Sequence, residues 1–190
     1  MAYLSEVQLQ ALGFKKLGNN VKISDKTSIY DCGQIEIGDN SRIDDFCILS
    51  GNIKIGKYCH ITPMCLIAGG EPGIDIADFC TLAYGVKVFS QSDDYSGESM
   101  VNSLIPKKYK NEYFSSVKLN KHVIVGAGAV IFPGVDLGEG CSIGSMSLVL
   151  KSTQPWGIYA GIPAKRINER SKKLLVLVNK FISEENNDSI

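Results

Sequence analysis

Aliphatic residues recur every six positions along most of this chain. Ile37, Ile43, Leu49, Ile55, Ile61 and Ile67 form one run, which restarts after Gly69-Gly70-Glu71-Pro72-Gly73 at Ile76, Leu82 and Val88. A long break follows, and the pattern returns at Leu119, Val125, Ile131, Leu137, Ile143 and Val149. Gly, Ala or Asp often comes next, as at Gly38, Asp44, Gly56, Ala77, Ala83, Gly126, Gly138 and Gly144. Four positions after the aliphatic residue a small or thin side chain tends to recur, as at Ser41, Cys47, Cys59, Cys65, Cys80, Ala129, Cys141 and Ser147. A period of six is too short for a coiled-coil heptad. It suits a short strand plus a turn, and three such units make one triangular coil of a parallel β-solenoid.

The flanks carry a different period. Ser5 to Gly13 reads as a short helix, with Ser5 as N-cap and Gly13 as terminator. Leu174, Leu175, Val178, Phe181 and Ile182 follow helical spacing and predict a terminal amphipathic helix, packed on the solenoid end or on a neighbouring subunit. The 190 residues make one domain: a helical segment over 1–20, the solenoid over 21–150 with a loop over 90–117, and a tail with its helix over 151–190.

The thin-residue register changes how the six cysteines are read. Five of them fall in it, where free Cys acts as a small apolar filler; Cys32 alone lies outside. No Cys-x-x-Cys pair occurs, so no metal is expected. Lys plus Arg and Asp plus Glu both number 20, which gives no basic field for nucleic acid. The N-terminus lacks a signal-peptide pattern and no apolar run is long enough for a membrane span, so a cytoplasmic protein is expected.

The repeat breaks at Ser90-Gln91-Ser92-Asp93-Asp94-Tyr95-Ser96-Gly97, with two adjacent carboxylates at the exit. Loops this long inside a compact domain are usually functional. Tyr109, Tyr113 and Phe114 within it argue against a merely solvated insertion.

The hexads, this loop and the tail Gly161-Ile162-Pro163-Ala164-Lys165 together resemble the left-handed β-helix (hexapeptide-repeat) acyltransferases. Around Leu12-Gly13-Phe14 and Ser92-Asp93-Asp94-Tyr95-Ser96-Gly97 the chain is most similar to the bacterial nucleotide-sugar N-acyltransferases of viosamine and anthrose pathways, which act on dTDP-4-amino-4,6-dideoxyglucose. The resemblance implies a homotrimer that uses acyl-CoA at sites between subunits. It implies that Ala127 and Ser145 line the coenzyme A groove through their backbones, with an oxyanion donor near Ala127. Lys151 and Lys165 correspond to phosphate-side positions, and the loop to a wall of the acyl-donor tunnel. Tyr84 is expected to contact substrate from its own position, one solenoid face before the break; the competing reading is surface packing.

Family members that acylate hydroxyls generally carry a catalytic histidine where this chain has Asp93 or Asp94. An alcohol needs a base with a pKa near neutrality, which an ordinary aspartate is not. A neutral amine is already nucleophilic, and a carboxylate can orient it and stabilise the charge that develops on attack. The acids therefore favour N-acylation, with Asp94 preferred over Asp93 because it is the first residue released from the coil. The alternative is an O-acetyltransferase for polysaccharide or antibiotic hydroxyls, using His60 or His122 across an interface. A carbonic anhydrase would need three histidine ligands and only two are present. A purely structural solenoid gives no account of the loop and tail. The acyl chain is left open.

Overall fold

The computed structural model describes residues 2–188, with side chains through 185. Strands of two to eleven residues wind into a parallel β-solenoid with three faces. Face one stacks Leu17, Ile37, Ile55, Ile76, Leu119 and Leu137. Face two stacks Ile23, Ile43, Ile61, Leu82, Val125, Ile143 and Tyr159. Face three stacks Ile29, Leu49, Ile67, Val88, Ile131 and Val149. The repeat thus begins at Leu17, one face before the Val21 boundary that the sequence predicts.

A regular coil advances 18 residues, as from Arg42 to His60. The step is 21 from His60 to Thr81, where the glycine-rich insertion adds residues, and 43 from Thr81 to Ile124, across the loop. The loop is less irregular than expected at its base. Gln91–Ser92 pairs antiparallel with Tyr113–Phe114, and Ser90 is fully buried.

Hexad aliphatics fill the interior with almost no exposure. The thin residues between them do more than save space. Buried Cys59, Cys80 and Cys141 each direct their thiol at a carbonyl of the next coil, Ala77, Asn120 and Gln154, at 3.2, 3.1 and 2.9 Å. Ser41 donates likewise to the Gly56 carbonyl at 2.7 Å. The corner between faces three and one is filled by larger aliphatics: Ile35, Ile53, Ile74, Val117 and Val135. Cys32 sits apart in a single turn, Cys32–Gln34.

Helix α1, Glu6–Ala11, starts with a reciprocal capping box between Ser5 and Gln8 and buries Leu9 in the core. Helix α2, Leu174–Asp188, lies along the corner between faces one and two of its own chain, rather than on the solenoid end. Left-handed corner residues stack there: Tyr58 on Phe79 at 5.1 Å between ring centroids, and Phe79 on His122 at 5.2 Å. Phe181 meets Tyr58 and Phe79 edge-on. Arg170 ties the tail down by donating from Nη1 to the carbonyls of His122 and Gly140 at 2.7 and 3.0 Å.

Candidate functional site

The corner between faces two and three gathers three of the expected residues into one column. Each coil turns this corner through a left-handed residue: Met64, Gly85, Gly128 and Met146. Their N–H groups donate to the carbonyls of Asp45, Pro63, Tyr84 and Ala127 one coil below, at 2.8 to 3.0 Å. Asp45, Pro63, Tyr84, Ala127 and Ser145 are therefore stacked one strand spacing apart, about 4.8 Å.

The N–H groups of Tyr84, Ala127 and Ser145 have no acceptor among the described residues. The equivalent positions of the corner between faces one and two are treated differently. There Asp39 and Asp78 accept from the Asn19 and Lys57 N–H groups, each at 2.9 Å. Two N–H groups of that corner are thus capped by side chains of the next coil, whereas Tyr84, Ala127 and Ser145 present three open donors in a row. Gly126 keeps that row clear, since a Cβ on it would lie 2.5 Å from the Ser145 nitrogen. Beside Tyr84, which is 64% exposed, Gly85 has nothing within 4 Å of a would-be Cβ. The column is thus an open groove floored by backbone donors, suited to amide carbonyls and to an oxyanion.

The tail hairpin, Gly157–Gly161 paired with Ala164–Glu169, closes the upper end of this groove. The Gly161 N–H donates to Ser147 Oγ at 3.2 Å, and Lys165 pairs opposite Ala160 on the exposed strand. Lys165 therefore stands at the Ser145 end of the column. Lys151 does not. It follows Leu148–Val149 and leaves face three at its far edge.

Asp93 and Asp94 also lie beyond that far edge. Strand Lys87–Phe89 separates Tyr84 from Ser90, and the six residue steps from one to the other span roughly 15–20 Å. The hydrogen bonds of both acids stay within the loop. Asp94 Oδ1 accepts from the Ser96 N–H and Oδ2 from the Ser99 hydroxyl, both at 2.8 Å, while Asp93 accepts weakly from the Asn102 N–H at 3.4 Å. The Ser96 and Ser99 bonds hold the Asp94 carboxyl below its ordinary pKa, so it is ionised at neutral pH. Each oxygen keeps a second lone pair for another donor. Such a group is a poor general base and a ready partner for a developing cation.

Neither histidine shares the position of these acids. His122 is buried under Phe79 at the opposite corner, and burial pushes its pKa down. His60 points its Nε2 at Asp44 Oδ2, 2.9 Å away. The pairing of His60 and Arg42 around one buried acid was not apparent in the sequence, because it depends on register between coils. Among the described residues no group of three potential ligands is arranged to hold a metal ion.

Residues 34–69 match the family of bacterial transferase hexapeptide (six repeats). The dTDP-4-amino-4,6-dideoxy-D-glucose acyltransferase of Escherichia coli is 45% identical over 184 residues, covering 95% of each chain. AntD, an N-acyltransferase from Bacillus cereus solved in complex with dTDP and 3-hydroxybutyryl-CoA, superposes with a TM-score of 0.96 at 44% identity, over 97% of this chain and 98% of AntD. A single-residue variant of AntD, in complex with dTDP-4-amino-4,6-dideoxyglucose and coenzyme A, gives 0.95 at 45% identity, over 96% and 98%. With this identity along nearly its whole length, a hexad-built parallel coil and a groove floored by open backbone donors, the chain belongs to the left-handed β-helix, hexapeptide-repeat acyltransferases.

Proposed function

We propose that this protein is an acyl-CoA-dependent N-acyltransferase of a dTDP-linked 4-amino-4,6-dideoxyglucose, working as a cytoplasmic homotrimer. The observation that carries the reading is the row of open N–H donors at Tyr84, Ala127 and Ser145, in a chain 45% identical to an enzyme of that activity. The pantetheine arm of coenzyme A lies along this row, with its phosphates toward Lys165. The thioester oxygen takes the Ala127 N–H, which stabilises the oxyanion as the sugar amine attacks. A C–N bond forms and the C–S bond breaks. The ionised Asp94 carboxylate steadies the ammonium that develops, and the nitrogen's proton passes to the departing thiolate, leaving an amide and free coenzyme A.

Separation of Asp94 from the groove supports the trimer. Asp94 and Lys151 leave one edge of face three; Tyr84, Ala127 and Ser145 line the other. A ring of heterologous contacts brings one edge of each copy to the opposite edge of the next. Face three has the surface for it. Its outward column holds Ile48, Leu66, Lys87, Val130 and Leu148, aliphatic at every one of these rungs but Lys87, and Phe46, Met64 and Met146 stand exposed at its corner. Charged residues instead fill the outward column of face one. An apolar face of this kind is what a subunit interface buries.

Mixed trimers test both claims. Asp94→Ala and Ala127→Pro chains are each expected to be inactive alone. If each site takes Asp94 from one copy and Ala127 from the next, every mixed trimer regains one intact site. Random mixing then restores about a quarter of wild-type activity. No recovery from co-assembled chains places both residues in one subunit's site or removes one of them from it.

A further inference from the structure

The loop that carries Asp94 is joined to the solenoid by a continuous chain of contacts, and that chain ends on the carboxylate. Asp94 is held at both oxygens. The Ser96 N–H, two residues on, donates to Oδ1, the ordinary local turn of an aspartate. One such bond leaves the carboxylate free to swing about it. The second comes from farther away: the Ser99 hydroxyl donates to Oδ2 at 2.8 Å. Ser99 Oγ in turn accepts from the Asn111 N–H at 3.1 Å. A hydroxyl rotates to suit its partners, and an N–H on one lone pair limits where its proton can point. Asn111 therefore fixes the Ser99 hydroxyl, and Ser99 fixes Asp94.

Asn111 lies on the returning limb of the loop, twelve residues beyond Ser99. That limb is itself anchored. Beside the Ser99 contact, the Met100 N–H donates to the Tyr109 carbonyl at 2.9 Å. The Lys110 side chain, only 6% exposed, pairs with Glu112 at 3.0 Å. Lysine is seldom so covered unless it is paired. Tyr113–Phe114 then joins Gln91–Ser92, and the Tyr113 hydroxyl packs against Gly134 of the coil above, where a Cβ would lie 2.8 Å from it. Ser90 pins the outgoing limb: its buried hydroxyl donates to the Gly69 carbonyl, and its own carbonyl accepts from the Ser115 N–H at 2.9 Å. A buried ion pair and a fitted seat on the solenoid are more than a solvated cover needs.

We propose that Ser99 is a positioning residue for the transfer, holding the Asp94 carboxylate in the orientation that meets the ammonium developing on the sugar nitrogen. The inference rests on the role of Asp94 in the proposed function. With both oxygens engaged, the remaining lone pair on each has a fixed direction, so the carboxylate need not reorient as the nitrogen becomes positive. Ser99 acts through Asp94 rather than on either substrate.

A double-mutant cycle on the intact protein tests this, with kcat and KM measured for both acyl-CoA and the amino sugar. Ser99→Ala should lower kcat by about tenfold and leave KM for acyl-CoA within about twofold. In the Asp94→Ala background the same substitution should change the residual kcat by less than about twofold, because the group it positions is gone. Ser99→Thr keeps the hydroxyl and should recover most of the rate. A general loosening of the loop slows both backgrounds alike. That result overturns the proposal, as does wild-type kcat in Ser99→Ala or a Ser99→Thr protein as slow as Ser99→Ala. If Ser99→Ala does not assemble, Ser99→Cys, similar in shape and a weaker donor, replaces it in both backgrounds under the same criteria. A slow Asp94→Ala beside an unaffected Ser99→Ala removes only the positioning role. Wild-type kcat in Asp94→Ala removes the carboxylate from the mechanism, and this role with it.

Discussion

The Gly128 N–H donates to the Tyr84 carbonyl at 2.8 Å, and this bond sets Ala127 directly above Tyr84 in the groove column. Sequence neighbours 43 residues apart become groove neighbours because the whole loop is extruded between them. Pro63 occupies the same column one coil below. Proline is therefore compatible with the corner backbone, whose preceding bend it favours. Ala127→Pro removes one N–H without asking for a new conformation. If that N–H stabilises the oxyanion, kcat should fall by about 100-fold with the trimer intact. Near-normal kcat in a folded Ala127→Pro protein would take Ala127 out of the mechanism.

Lys165 stands on the exposed hairpin strand at the Ser145 end of the groove. Reversing its charge should repel the phosphates of the acyl donor. Lys165→Glu is expected to raise KM for acyl-CoA by about tenfold and to leave KM for the amino sugar nearly unchanged. An unaltered acyl-CoA KM would remove this lysine from the donor site.

Asp94 is held ionised by Ser96 and Ser99. Both Asp94→Ala and Asp94→Asn should then lower kcat/KM for the amino sugar by about 100-fold, since the amide keeps the shape and loses the charge. Because the folded pKa is depressed, kcat/KM should show no loss from Asp94 protonation as pH falls from about 7 to about 5. His122→Ala and His60→Ala should leave kcat little changed. Asp93→Ala belongs in the same series. Wild-type kcat/KM in both Asp93→Ala and Asp94→Ala would end the carboxylate mechanism, and loss of kcat on removing a histidine would favour O-acylation.

His122 offers a test of the corner ladder. Burial against Phe79 and the neighbouring Lys121 and Arg170 disfavour its charged form, although Glu139 and Asp78 oppose this. Its pKa is lower folded than unfolded, so the unfolded chain binds more protons as pH falls through the usual histidine range. Stability should decline between about pH 7 and about pH 5. Asn tolerates the left-handed conformation that His122 adopts, with φ of 63°. His122→Asn should have a lower Tm at pH 7, having lost the ring stack, and a flatter dependence of Tm on pH. Parallel Tm profiles for the two proteins would show that His122 does not titrate in this window.

The hexads made the solenoid legible because side-chain period and strand geometry are local properties. An inward aliphatic every six residues can only line a short-sided coil, and a thin residue between two of them can only mark its corner. Cys47, Cys59, Cys65, Cys80 and Cys141 were assigned to the core on that ground, and all five are buried. The N-cap at Ser5 was local too. Register between coils is not local, since each insertion shifts it by its own length. Residues 42, 44 and 60 form a cluster only once the 18-residue step has stacked their coils. The same holds for Tyr84, Ala127 and Ser145. Their open N–H groups follow from which corner lacks a capping acid, which no window of sequence displays. The sequence named Asp94 and Ala127 as parts of one site; folding placed them at opposite edges of face three, because a strand stands between the corner that turns into it and the corner that leaves it.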